Sequence, residues 1–195
     1  MNNSKLHALT VVIYFFLIGQ PSYSQSVTWN EDVRGWYIGV DRSVGDGCYM
    51  HSSFDGGGVL RTGFNVDGNS MFIIIGNRNW KSLEEGKYYP IEIQFGNRSP
   101  WSGEASVFVW DDGEKSLKLT VPFDDNSADN FVSEVQQTQN VIARYQGRQI
   151  LNLSLRGSFA AMDEVLKCQD NILRNRSPSS DPFNSKGISG ADPFH

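Results

Sequence analysis

The two cysteines, Cys48 and Cys168, are the residues of this sequence with the most definite chemistry. Two cysteines allow a single intramolecular pairing, and disulfides persist in proteins that mature outside the reducing cytosol. Features of the chain start described below indicate export, so the sequence predicts a bridge between Cys48 and Cys168, with two free buried thiols as the alternative. On the chain-entropy model, closing so long a loop stabilises the folded chain by about 4 to 5 kcal/mol before any strain is subtracted.

Histidine offers little support for catalysis in this chain. His51 is the one histidine in the body of the sequence, and histidine is the usual general base near neutral pH. A Ser-His-Asp site would have to use it, yet no G-x-S-x-G nucleophile elbow is present. Its alternating surroundings, CYMHSSF, favour an ordinary strand residue. The sequence therefore predicts no catalytic residue and a protein that is not an enzyme.

Clusters of acidic residues suggest two further kinds of site. The acids at 111, 112 and 114 resemble a glycosidase carboxylate pair, but they lie in a predicted hairpin turn, where acids are expected for solvation and backbone bonding. The acids at 124, 125 and 129 do not have the spacing of a calcium loop and are explained by the start of a helix. Zinc would need Cys and His at ligand spacing. We therefore predict no metal and no cofactor.

Tryptophan is the residue type with the best case for ligand binding. Most of the five tryptophans are expected in the core, but Trp80 in GNRNWKS and Trp101 in GNRSPWSGEAS have polar neighbours that place them on loops. An exposed indole can stack on a sugar ring or anchor a partner protein. Trp80 and Trp101 are therefore the candidate ligand-binding residues.

The elements that would position these residues are mainly strands. Short alternating segments rich in β-branched and aromatic residues fill the middle of the chain, separated by turn signals such as Asp112-Gly113. They predict a mainly β fold, either a β-sandwich or a partly closed antiparallel barrel. MFIII is expected to be a central strand, whereas YYPIEIQF, which contains Pro90, is expected at an edge or a bulge. A short helix is predicted near 127–138.

A second helix is predicted near 158–173, packed on the sheet. At about 100° per residue, its apolar half contains Phe159, Met162, Val165, Leu166, Ile172 and Leu173. Gln169 is the polar exception within that half, and Cys168 lies at its margin. Cys168 is therefore expected to tie the helix to the strand that begins at Cys48.

The two ends of the chain differ in composition from the part between them. Residues 1–24 contain an apolar run of about a dozen residues followed by PSYS, which predicts a signal peptide cleaved before Gln25; a membrane span needs ~20 residues. An uncleaved anchor is the alternative. Residues 25–173 are predicted to form a single β-rich domain, and residues 174–195, poor in aliphatic side chains, a disordered polar tail. The predicted location is periplasmic or secreted.

The segment LSLRGSFAAMDEVLKC resembles the C-terminal signature of small exported bacterial domains of the invasion-associated locus B type. In that group a β-rich domain ends in a strand, a turn and an Ala-rich helix, and the resemblance covers about Asn152 to Cys168. It implies a periplasmic or secreted β domain without established catalytic residues. It assigns no site residue.

Together these features predict an exported, non-enzymatic binding or interaction protein that recognises or inhibits an envelope or host molecule. A glycan-binding module using Trp80 and Trp101 is the alternative, and a hydrolase using His51 is the second alternative. The partner is expected to be a protein or a glycan. A net charge of −5 gives no electrostatic reason to bind nucleic acid, and no membrane span is expected after signal cleavage.

Overall fold

A computed structural model describes residues 26–42, 47–65, 68–123 and 126–175. The predicted signal peptide, 1–24, and residues 176–195 of the predicted tail lie outside the described residues. The strands are β1 (Ser26–Asn30), β2 (Tyr37–Asp41), β3 (Gly47–Ser53), β4 (Gly58–Phe64), β5 (Ser70–Asn77), β6 (Tyr88–Phe95), β7 (Trp101–Val109), β8 (Lys115–Pro122), β9 (Asn140–Tyr145) and β10 (Arg148–Ser154). The helices are α1 (Ser127–Gln137) and α2 (Ser158–Asn175).

All ten strands belong to one antiparallel sheet in the order β1-β2-β3-β4-β5-β8-β7-β6-β9-β10. The sheet is open, with β1 and β10 at its edges, but it coils so that Leu151 and Leu153 of β10 lie against Gly58 of β4. The predicted mainly β fold with two helices is confirmed. The strands form one continuous coiled sheet instead of two separately hydrogen-bonded sheets.

Two strands, β5 and β6, show how far the sequence of one segment predicts whether it lies in the centre or at the edge of the sheet. β5, which contains the MFIII run, is central as predicted, between β4 and β8. The expectation that YYPIEIQF lies at an edge or a bulge was wrong, because β6 pairs with both β7 and β9 without a shift in register. Pro90 is accommodated because β9 pairs with β6 only from Ile91 onward, so Pro90 has a strand neighbour on one side alone.

Period-two alternation divides the side chains of the sheet between two faces. On the inner face, residues such as Ile38, Met50, Leu60 and Ile73 join the helices in the main hydrophobic core. The opposite, outer face carries a second buried cluster of Tyr49, Phe72 and Ile74. Both faces of the central strands are therefore buried, although both helices contribute their buried apolar residues to the core on the inner face.

α1 occupies the predicted place, and α2 begins as predicted at Ser158 but ends at Asn175. Arg174 and Asn175, which were assigned to the disordered tail, are therefore helical. The buried residues of α2 are Ser158, Ala161, Met162, Val165, Cys168 and Gln169.

The predicted orientation of α2 about its own axis was right for Met162 and Val165, which are buried, but wrong for four other residues. Phe159, Leu166 and Leu173 are exposed, whereas Cys168 is fully buried and not at a margin. Gln169, next to Cys168, also faces the sheet, where its side chain accepts a hydrogen bond from the Cys48 amide at 3.0 Å and donates one to the Asn65 carbonyl. The disulfide and these bonds hold this edge of α2 toward the sheet, and the three apolar side chains face outward.

Candidate functional site

The disulfide between Cys48 and Cys168 joins β3 to α2. Its Cα atoms lie 6.0 Å apart, and both residues are fully buried. The adjacent hydrogen bond from the Cys48 amide to the Gln169 side chain joins the same two elements again. The C-terminal half of α2 is therefore held at a fixed position above the first strands of the sheet.

Beside this junction runs an open groove of about 660 Å³, which we call the β1–α2 groove. Its lining residues are Val27, Trp29, Val40 and Arg42 from the start of the sheet and Asn171, Ile172 and Asn175 from α2. Apolar side chains from both walls face the groove, while Arg42 and the two asparagines supply polar groups. A volume of this size is within the usual range of ligand pockets.

Strand β1 forms the outer wall of the groove because of its register. Val27 pairs with Val40, which places both side chains on the inner face toward α2. The hydroxyl groups of Thr28 and Tyr37, 2.9 Å apart, join β1 to β2 on the other face. A register irregularity between Thr28 and Asn30 gives Trp29 a position outside the regular pairing.

β1 is more exposed than any other strand. All five of its residues are exposed, including Val27 at 42% and Trp29 at 41%. In the part of the chain that the structure describes, β1 pairs with β2 alone, so its second edge presents main-chain donors and acceptors. The groove therefore combines apolar side chains with an edge that can accept another strand.

The two predicted ligand-binding tryptophans have different environments. Trp80 lies in the turn after β5, as the loop prediction requires, but it is partly buried against the core and borders a cavity of only about 110 Å³. Trp101 is the first residue of β7 and does not lie on a loop, which corrects the prediction. Its indole N–H donates to Glu134 Oε2 at 2.6 Å, and its ring packs edge-on against Phe131.

The structure does not bring Trp80 and Trp101 into one site. Trp80 shares its cavity with Gly113, in the turn that follows β7, whereas Trp101 begins β7. The two tryptophans therefore lie near opposite ends of β7, a strand roughly 25 Å long. Sequence reasoning missed Trp29, because SVTWN has the alternation of an ordinary half-buried strand and nothing in it indicates an outermost position.

His51 lies on the outer face, opposite Arg61 in the β3–β4 register. The Arg61 guanidinium carbon is 4.3 Å from the centroid of the Tyr49 ring and 4.5 Å from that of Trp110. Its Nη1 atom also donates to Asp41 Oδ2 at 3.2 Å. Burial, and then the charge of Arg61, lower the pKa of His51 to about 4. We call these five residues the outer-face cluster.

The described residues show no further arrangement typical of a catalytic or metal site. In a Ser-His-Asp triad, the Nδ1 atom of the histidine bonds to the carboxylate. Among the described residues, His51 Nδ1 is buried and has no hydrogen-bond partner. Within the described ranges, no three His, Cys, Asp or Glu residues are grouped as metal ligands. None of the helices described has the length and apolar character needed to cross a membrane.

Comparison with known proteins shows a likeness in structure. No protein-family model matches the sequence, and no curated protein matches it. The crystal structure of invasion associated protein B from Bartonella henselae is similar, with a TM-score of 0.51 and 15% identity over 74% of this chain and 99% of that chain. At this identity the likeness shows the fold alone. It supports the family resemblance at the level of fold, and the resemblance of the stretch 152–168 stays a prediction.

Proposed function

We propose that the protein is an exported, non-enzymatic binding protein whose β1–α2 groove recognises an extended polypeptide segment of an envelope or host molecule. The observation that carries the proposal is the exposure of Val27 and Trp29 on a strand whose second edge has no partner in the described sheet. An extended peptide can add to such an edge through main-chain hydrogen bonds, with alternate side chains entering the neighbouring groove.

The rigidity of the opposite wall supports this proposal. A binding groove loses less entropy on association when its walls are already fixed. Here the disulfide and the Gln169 hydrogen bond hold α2 against β3, while β1 is joined to the rest of the sheet by its pairing with β2. A peptide would therefore enter a largely preformed site.

Export and the lack of enzymatic activity are supported by other observations. The disulfide is typical of proteins outside the cytosol, in agreement with the predicted signal peptide and with the fold shared with invasion associated protein B. His51, the base on which a hydrolase would depend, has its Nδ1 atom buried in the outer-face cluster.

A glycan-binding module remains the alternative, centred on Trp80 alone. The observation in its favour is the partly exposed indole beside Arg78, Lys81 and Lys115, a set of donors that could bond sugar hydroxyls. The small volume of this cavity favours the larger β1–α2 groove.

Intact mass of the exported protein, measured with and without reduction and thiol alkylation, tests export. We expect a chain beginning at Gln25 that gains two alkyl groups only after reduction. An unprocessed chain with two free thiols would remove the basis for export.

Selection of a phage-displayed random peptide library on the purified protein tests recognition. We expect enriched peptides that bind the wild type and the control Trp80→Ser but not Trp29→Ser, after circular dichroism has shown that both variants are folded. Synthetic versions N-methylated at alternate residues should lose binding, because the methyl groups block strand addition. Failure to enrich any peptide, together with oligosaccharide binding that Trp80→Ser abolishes, would replace the proposal with the glycan alternative.

A further inference from the structure

The last residue of α2 is itself part of the groove. Asn175 lines the β1–α2 groove together with Ile172, one helical turn earlier. The chain therefore leaves α2 at the groove, and residues 176–195 begin within reach of β1. Residues 43–46 also follow a groove residue, Arg42, but this segment has only four residues, with Val44 as its one large apolar side chain.

The sequence of this segment contains few residues that could fill an apolar groove. Its large apolar side chains are Phe183, Ile188 and Phe194, and both phenylalanines end the tripeptide Asp-Pro-Phe, at 181–183 and 192–194. Proline restricts the residue before it to extended conformations. Each tripeptide therefore supplies an aspartate and an aromatic ring two residues apart.

The length of the segment matches the groove. Phe183 is eight residues beyond Asn175, which allows a span of up to roughly 26 Å, more than the ~17 Å length of a five-residue strand. The phenylalanine ring matches the apolar wall formed by Val27, Trp29 and Ile172.

From these observations we infer that residues 176–195 occupy the β1–α2 groove through an Asp-Pro-Phe tripeptide and compete there with the polypeptide partner. The inference rests on the proposed function for the partner, but occupation of the groove by the segment is a separate event. A tether of this length gives an effective concentration in the millimolar range. An intrinsic affinity of only about millimolar would therefore keep the groove occupied for about half of the time.

Hydrogen exchange of the purified protein tests the inference directly. Amides of residues 26–30 should exchange about twofold faster in the Phe183→Ala/Phe194→Ala variant than in the wild type. Ile188→Ala, which changes an apolar residue of the same segment outside both tripeptides, is the matched control and should leave the rate unchanged. A synthetic peptide of residues 176–195, added at millimolar concentration to the double variant, should restore protection.

Equal exchange in all three proteins would overturn the inference, as would protection that rises with protein concentration, which would identify a second copy as the occupant. The library selection separates this inference from the proposed function. Selected peptides that bind the wild type and the double variant equally would overturn the inference alone. Restored protection by the 176–195 peptide, with no peptide selected from the library, would support the inference and contradict the proposed function.

Discussion

The two faces of the sheet bury their side chains by different means. The inner face buries aliphatic and aromatic side chains together with those of the helices, and α2 is held on it by the disulfide. On the outer face, Tyr49 lies between Gly39 and Gly63 on the neighbouring strands. A Cβ atom at Gly39 would collide with the Tyr49 ring, and one at Gly63 would collide with the Cys48 carbonyl and the Tyr49 backbone, so this close approach requires glycine at both positions. One face depends on a covering element, and the other depends on contacts between its own strands.

Removing the disulfide is expected to have the largest effect on stability. It tests how far the inner face depends on the covalent attachment of α2. The Cys48→Ser/Cys168→Ser variant should lose about 4 to 5 kcal/mol of unfolding free energy, because the bridge closes a separation of 120 residues. Urea denaturation of this variant and of the wild type, with and without reductant, measures the loss. A loss below about 1 kcal/mol would show that α2 is held mainly by packing and by Gln169.

Truncating Arg61 tests the outer face. Arg61→Ala should lower the free energy of unfolding by about 3 kcal/mol, because it leaves Asp41, whose side chain is 3% exposed, without this cation. Arg78→Ala is the matched control: Arg78 is 70% exposed in its pair with Glu114, so its loss should cost at most about 0.5 kcal/mol. Equal effects in urea denaturation would mean that the outer-face cluster adds no stability of its own.

The pH dependence of stability tests the same cluster through His51. Its pKa is about 4 in the folded protein, so between pH 6.5 and 4 the unfolded chain binds the additional proton. The contribution of His51 to the free energy of unfolding is therefore complete above pH 6.5. It is lost as the pH falls to 4, and the free energy of unfolding changes by about 2 to 3 kcal/mol over this range. His51→Gln cannot titrate, so its stability should fall less over this range in urea denaturation. Parallel curves for the two proteins would contradict the prediction.

The smallest expected effect concerns Trp101, at the junction with α1. Trp101→Phe keeps the ring against Phe131 but removes the hydrogen bond to Glu134, and should cost about 1 kcal/mol of unfolding free energy. Trp80→Phe is the matched control: it makes the same change of ring at a partly buried position in a turn, so it should cost less than Trp101→Phe. If the two variants were equally stable, Trp101 would not be a structural anchor, and its availability to a ligand would need to be reconsidered.

Local signals predicted the local structure well. β5 is central, and Gly113 has the positive φ that the Asp112-Gly113 turn signal implied. Strand order was not predictable in the same way, because β5 pairs with β8 and β6 pairs with β9 across intervening strands. Such pairings depend on how whole hairpins pack, which alternation within one segment does not encode.

The candidate site was less predictable than the fold. Its features depend on tertiary context: β1 lies at an edge, and α2 presents Cys168 and Gln169 to the sheet through the disulfide and two hydrogen bonds. A helical wheel weighs only hydrophobicity, so it treated Gln169 as an exception. Trp101 was misplaced for the converse reason, since its polar sequence neighbours concealed the carboxylate partner from α1.

The chain order of the groove walls has a consequence for biogenesis. One wall is the first described strand and the other is the last described helix, so the groove requires nearly the whole domain to be present. During synthesis, residues near Val27 emerge long before those near Ile172. If the groove binds a peptide as proposed, the nascent chain cannot engage it there until α2 has docked, and binding would itself report that the domain is complete.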